Sequence, residues 1–411
     1  MPLASSPARL HGLDALRGFA LLLGVVLHAG MSFLPGPYGV PIWVVQDVQA
    51  DAAFGLSFFI PHIFRMVLFF LLAGFFARLA FEKRGALAFS IDRFKRIALP
   101  LASFWMPVFA AIVVVLIWAA VKANGGEMPA EEEQPPLTAE TFPFTHLWFL
   151  YLLCLFYPVA ILARLSIRLI DRSDLMGRLI DRLTGLVTAT PIGLVLLGAP
   201  LALAFLSAEQ WAIWFGIPTP DTGIYPNAIA LTGYGMAFGF GWLLHRRLDL
   251  LQRLQKLAPV NMAVAIGLTG YCLYTAGIAP SFEMANVNNW QSWVYALAYA
   301  SAGFAWSFGL IGLALTLFKA ESRPARYIAD ASYWVYIIHL PMVMALQVAF
   351  SAVALPAPIK FLLINALTLA LCFATYHLLV RGSWIGAWLN GRRYGKAQEA
   401  KAKLQAASAS A

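Results

Sequence analysis

Charge is scarce in this chain. Of its 411 residues only 12% are Asp, Glu, Lys or Arg, and just 20 are acids, where an average soluble domain is about one-quarter charged. So few polar side chains cannot cover a water-soluble globule of this size. Soluble, disordered and collagen-like classes are therefore excluded. Cysteine is rarer still: Cys154, Cys272 and Cys372 all lie in apolar stretches, none at metal-ligand spacing. That excludes a disulfide scaffold and leaves buried, reduced thiols. What is present is hydrocarbon, with 61% of residues apolar and a mean hydropathy of +0.73. The class that remains is an all-α polytopic membrane protein.

A transmembrane helix needs roughly 20 mostly apolar residues. About ten such stretches are present, at 13–34, 54–80, 97–121, 146–163, 186–206, 225–244, 258–279, 292–318, 328–353 and 360–380. Pro- and Gly-bearing segments fall mostly between them, which supports the boundaries. The first run carries Asp14 and Arg17 and is long for a signal peptide, so cleavage is not expected.

Basic residues set the orientation. With both termini cytoplasmic, only Lys122 and Lys360 of the 29 Lys and Arg fall outside, and Arg17, Arg65 and Arg78 fall within spans. The outer loops are acidic, most of all 122–145, KANGGEMPAEEEQPPLTAETFPFT. The net charge of +9 therefore reports membrane sidedness and implies no nucleic-acid partner. The chain divides into a membrane domain, 1–385, and a basic cytoplasmic tail, 386–411, expected to be disordered.

Ionisable groups inside spans are expensive, at least about 2.5–3.5 kcal/mol each on insertion scales, and so informative. In the first span Arg17 and His28 are eleven residues apart, about three turns, which puts them on one face roughly 16 Å apart. Asp14 can pair with Arg17 at i, i+3. His62 and Arg65 share a face in the outer half of the second span. Arg93 and Arg96 stand at the inner start of the third, where planar guanidinium forks suit phosphate oxygens. The fourth span opens with His146-Leu147-Trp148, and the ninth carries Ser332, Tyr336 and His339 before Pro341. Four of the seven histidines thus gather toward the outer face. No close ligand pair such as i, i+4 joins them, so no metal is expected. No internal repeat with matching interrupted helices is visible, which weakens a transporter reading.

These motifs resemble the membrane-bound acyltransferase 3 family. LDALRGFALLLGVVLH is similar to its first helix with Arg-x10-His, filled here by Arg17 and His28. FFLLAGFF resembles its second-helix pattern, with Ala73 in place of the usual Ser. Arg93-Phe-Lys-Arg96 with Pro100 is similar to its cytoplasmic Arg-x-x-Arg element, HLWFL to the start of its fourth helix, and ASYWVYIIHLP to its late Ser-x-x-x-Tyr-x-x-His-x-Pro motif. The matches run in order from Leu13 to Pro341. His62-x-x-Arg65-Met66 with HLWFL most resembles the branch containing glucans biosynthesis protein C, associated with succinylation of periplasmic glucans.

The resemblance implies a multi-pass enzyme of the bacterial inner membrane. It would move an acetyl or succinyl group from cytoplasmic acyl-CoA to a hydroxyl of a cell-envelope carbohydrate. Acyl-CoA would be a substrate, with no permanently bound cofactor. In that scheme Arg93 and Arg96 hold the CoA phosphates, and Arg17, positioned by Asp14, lines the thioester channel. His28 is general base, Arg65 and His62 stabilise the oxyanion or bind the acceptor, and His146, Trp148, Tyr336 and His339 line the acceptor pocket. No Ser or Cys stands beside a base in a recognisable motif, which favours direct attack over an acyl-enzyme. The alternative is a transporter or flippase of a glycan or lipid precursor, using the same intramembrane charges for passage.

Overall fold

The computed structural model describes residues 7–36, 42–129, 136–171, 173–320 and 322–390. Among these the protein is helical, with two isolated β-bridges, Pro143 to Thr222 and Ala212 to Met284. The helices are α1 (Pro7–Gly30), α2 (Gly55–Arg84), α3 (Ala86–Arg93), α4 (Leu99–Ala123), α5 (Trp148–Ile170), α6 (Leu175–Val187), α7 (Pro191–Ser207), α8 (Ala228–Leu244), α9 (Asp249–Lys256), α10 (Ala258–Ala276), α11 (Trp290–Leu317), α12 (Arg323–Phe350), α13 (Ala357–Thr375) and α14 (Trp384–Asn390). Proline opens α4, α7, α10, α12 and α13, where its missing N–H breaks no bond. Asn227 and Asn289 start α8 and α11 by accepting from the backbone N–H of Ala230 and Gln291.

Among the described residues seven helical segments are long and apolar enough to cross a membrane, and up to nine if two bent pairs each count as one span. The stretch expected at 225–244 forms α8, of 17 residues, roughly 26 Å long and short of the ~30 Å hydrocarbon core. The span expected at 186–206 is mostly α7, of 17 residues. α6 meets α7 at 109° across the turn before Pro191, and α6 carries Leu175, Leu179, Leu183 and Leu186 exposed. The segment leading to α10 also bends, by 61° after α9.

Two apolar clusters hold the bundle together. One joins α2, α5, α7, α8, α10 and α11; the other joins α4, α12 and α13. α1 belongs to both, giving Leu13, Leu16, Ala20 and Leu27 to the first and Leu21, Val25 and Ala29 to the second. Without a hydrophobic drive between helices in lipid, close backbone approach carries the packing. α2 and α8 achieve it reciprocally: a side chain at Gly74 would strike the carbonyl of Phe238, and one at Gly241 that of Leu71.

The two ends of the bundle differ. One, the arginine-rich end, gathers Arg78, Arg84, Arg93, Arg96, Arg164 and Arg246 with Glu82, Asp92 and Asp181. The opposite end holds the loops before α2, α5 and α13. That end also holds Lys360, expected on the outer side, which is buried there rather than solvated. Lys360 is fully buried in α13 and donates to both oxygens of Asp47, at 2.6 and 2.7 Å, and to the carbonyl of Val353. An apolar helix start accommodates a lysine because a carboxylate from the loop after α1 is brought to it.

The acidic loop 122–145 is anchored at its far end: Trp105 donates to the Pro143 carbonyl and Thr145 N–H to that of Asp221. Of the tail expected from 386, the first five residues close α14, and 391–411 lie outside the described residues.

Candidate active site

α1, α2, α5 and α12 enclose a cavity of about 370 Å³ where the two clusters meet. Its mouth is at the arginine-rich end and holds Arg93, Arg96 and Asn390. Its waist holds Arg17, Phe76, Tyr157 and Tyr333, and its inner end Arg65, Tyr336 and His339. Four of the sequence-selected arginines thus line one cavity.

The mouth is built on an irregular backbone. Between α3 and α4, Phe94–Ala98 winds as a π-helix, a wider turn frequent at functional sites. It frees carbonyls that accept two side-chain donors, Tyr333 Oη to Arg96 at 2.6 Å and Trp388 Nε1 to Lys95 at 2.6 Å. Asp92 sits at its start and pairs with Arg84, Arg93 and Arg96, the last at 3.0 Å. One carboxylate therefore orients three guanidinium groups and leaves a net positive mouth. Arg93 also lies over the rings of Phe89 and Tyr157, at 5.5 and 5.8 Å.

At the waist Arg17 reaches Asp14 at 3.6 Å, with both side chains near half exposed, and lies over Phe76 at 5.8 Å. An exposed pair of this kind holds weakly. Asp14 itself faces a second, polar pocket with His11 and Arg326.

The inner end is where the four helices converge. Arg65 crosses α1 at Gly24, one turn before His28; a side chain at Gly24 would collide with Arg65 Nη1 and come within 4.0 Å of His339 Nε2. Beyond this layer lie three imidazoles in a row. The ring of His28 is 5.4 Å from that of His339, and His339 is 5.1 Å from His146. His339 Nδ1 faces the carbonyls of Tyr336 and Val335 at 2.8 and 3.1 Å. His146 Nε2 faces the carbonyl of Ile337 at 3.0 Å, and Tyr336 donates to the carbonyl of His146 at 2.6 Å. One nitrogen of each ring, His28 Nδ1, His339 Nε2 and His146 Nδ1, is buried with no protein partner, as is Arg65 Nε. Four such atoms converge on this one place, where a buried polar group without a partner calls for an explanation.

On the far side His28 is capped. Trp43 stacks on it at 5.8 Å and 18° and donates to Gln347 Oε1 at 2.8 Å; Gln347 Nε2 in turn donates to the carbonyl of His28 at 2.8 Å. The loop carrying Trp43 is the one held by Asp47 and Lys360. Sequence reasoning missed Trp43 and Gln347. The available signal was Gln347, an amide alone in an apolar helix.

Two expected residues lie elsewhere. Trp148 stacks on Tyr234 at 5.3 Å in the core between α2 and α8; its neighbour Phe149 lines the cavity instead. His62 stacks on Phe58 and approaches the Ile217 carbonyl at 3.3 Å, turned toward the loop before α8. The i, i+3 spacing placed His62 beside Arg65, but helix sides only 60° apart lead to different neighbours. Among the described residues no three His, Cys, Asp or Glu are grouped to hold a metal.

The arrangement is that of a multi-pass helical membrane protein with a cationic cavity ending at buried imidazoles. The family model described as an acyltransferase domain, acyltransferase 3, matches residues 10–377. The chain belongs to that family. No curated protein and no solved structure matches it.

Proposed function

We propose that the protein transfers an acyl group from a CoA thioester, entering at the arginine-rich end, to a hydroxyl of a cell-envelope carbohydrate arriving from the side of Trp43. The observation that carries this reading is one continuous cavity from Arg93 and Arg96 to Arg65 and His339, ending one helical turn from His28. Arg93 and Arg96 bind donor phosphates by bidentate forks, and the aromatic waist takes the pantetheine arm. Arg65 receives the charge that develops on the thioester oxygen. His28 takes the proton of the acceptor hydroxyl as its oxygen attacks the carbonyl carbon. The carbon–sulfur bond breaks, and the CoA thiolate leaves by the arginine-rich end and is protonated there.

The arginine-rich end is then cytoplasmic, with both termini on that side and the protein in a bacterial inner membrane. About ten helices cross if α8 and both bent pairs are spans. The resemblance to the glucans biosynthesis protein C branch favours a succinyl or acetyl donor and a periplasmic glucan acceptor. Mass spectrometry of envelope carbohydrates from cells with and without the gene tests this. The expected result is an ester mass increment present only with the gene. Identical carbohydrate spectra, with a glycan or lipid precursor redistributed across the membrane, would support transport instead.

A further inference from the structure

We propose that a second, larger cavity on the opposite side of α5 binds an anionic phospholipid. This cavity, about 710 Å³, lies between α5, α6 and α8 and shares no lining residue with the first. Its upper part is apolar, walled by Phe156 and Val159 of α5 and Leu231 of α8. Val159 and Leu231 are exposed, so the groove opens sideways to lipid. Its floor is Gly235 and Gly239, and a side chain at Gly239 would meet nothing within 4 Å. That is open apolar space, of the chemistry an acyl chain needs.

The lower part is cationic and lies at the arginine-rich end. Arg78, Arg164, Arg168 and Arg246 line it. The carboxylates present are mostly committed. Asp181 takes Arg246 at 2.6 and 3.0 Å, Asp171 accepts from the backbone N–H of Leu175 and Gly177, and Asp174 lies beside Arg246 at Gly177. Glu82 serves both Arg78, at 3.1 Å, and Arg164, at 3.8 Å. Arg164 Nε is left buried with no partner, and Arg168 has no carboxylate within ion-pair distance among the described residues. Arg168 is exposed and Arg164 meets Glu82 only at 3.8 Å, so both guanidinium groups line the groove loosely held.

α6 fixes the depth. It lies across the end of α7 at 109° with Leu175, Leu179, Leu183 and Leu186 exposed, the disposition of a helix in the membrane interface. Arg164 and Arg168 thus stand at headgroup level with the apolar groove extending into the acyl region. A phosphate and a lipid tail are satisfied together; a free phosphate would leave the groove unfilled. α5 separates this site from the catalytic cavity, presenting Phe149, Leu153 and Tyr157 to one and Phe156, Val159 and Arg164 to the other.

Native mass spectrometry of the full chain in detergent tests the site, with phosphatidylglycerol, phosphatidylcholine or millimolar inorganic phosphate added. Phosphatidylglycerol is expected to be retained over phosphatidylcholine. Arg164→Gln with Arg168→Gln should lower that retention by roughly fivefold per arginine, and Gly239→Leu should lower retention of both lipids. Inorganic phosphate should displace neither. Equal retention of the two lipids, or unchanged retention in both variants, overturns the proposal. Displacement of phosphatidylglycerol by phosphate alone overturns the lipid in favour of a free anion. None of these readouts depends on acyl transfer.

Discussion

The site turns on a few side chains whose placement is decided by one missing methyl group. Gly24 lets Arg65 cross α1 between His339 and the turn that carries His28. Gly24→Ala would push the guanidinium away by about the width of a methyl. Turnover should fall roughly 10²-fold with the acyl-CoA KM little changed, because the mouth is untouched; steady-state kinetics separate the two. A second residue-scale prediction concerns stability. Lys360 and Asp47 are a buried pair, and removing one partner of such a pair typically costs about 3–5 kcal/mol by stranding the other charge. Lys360→Met should lower the thermal unfolding temperature sharply, and adding Asp47→Leu should recover much of the loss. No recovery in the double variant would contradict the pairing account.

At the scale of elements, helical periodicity made part of the site legible. Arg17 and Leu21 line the cavity, and Gly24, one turn before His28 on the same helix, meets Arg65 at its inner end. What was not legible came from between helices. The i, i+3 rule could not say that His62 looks toward Ile217 while Arg65 looks toward Gly24. Nor could it say that Trp148 fills the core while Phe149 takes the cavity wall. The π-helical turn at Phe94–Ala98 has no local sequence signal, since its extra residue per turn is stabilised by Tyr333 and Trp388 from distant helices. Tyr333→Phe removes one of those bonds and loosens the carbonyl that fixes Arg96. The acyl-CoA KM should rise severalfold, roughly the effect of 1 kcal/mol, while kcat stays near wild type. A fall in kcat with unchanged KM would place Tyr333 at the chemistry rather than at the mouth.

For the whole molecule, the scarcity of charge becomes an arrangement. Basic side chains collect at one end, a cationic cavity runs inward from them, and the opposite end is closed over His28 by Trp43 on a loop held by Asp47 and Lys360. That loop could not be read from the sequence, because its partners Gln347 and Lys360 lie some 300 residues away. If Trp43 keeps water from the acyl group, Trp43→Ala should increase acceptor-independent hydrolysis of acyl-CoA while lowering transfer, and a thiol-release assay with and without acceptor reads both. A loss of transfer with no gain in hydrolysis would assign Trp43 to acceptor binding alone.

The central claim is that His28 takes the acceptor proton during transfer from acyl-CoA. The most direct measurement supplies isotope-labelled acyl-CoA and extracted envelope carbohydrate to the purified, reconstituted protein and quantifies labelled ester by mass spectrometry. The wild type should form ester in proportion to acyl-CoA. His28→Ala, with an unfolding temperature matching wild type, should lose roughly 10²–10⁴-fold of that rate. Ester formation at the wild-type rate in His28→Ala, or labelled ester that forms without dependence on acyl-CoA, would contradict the account.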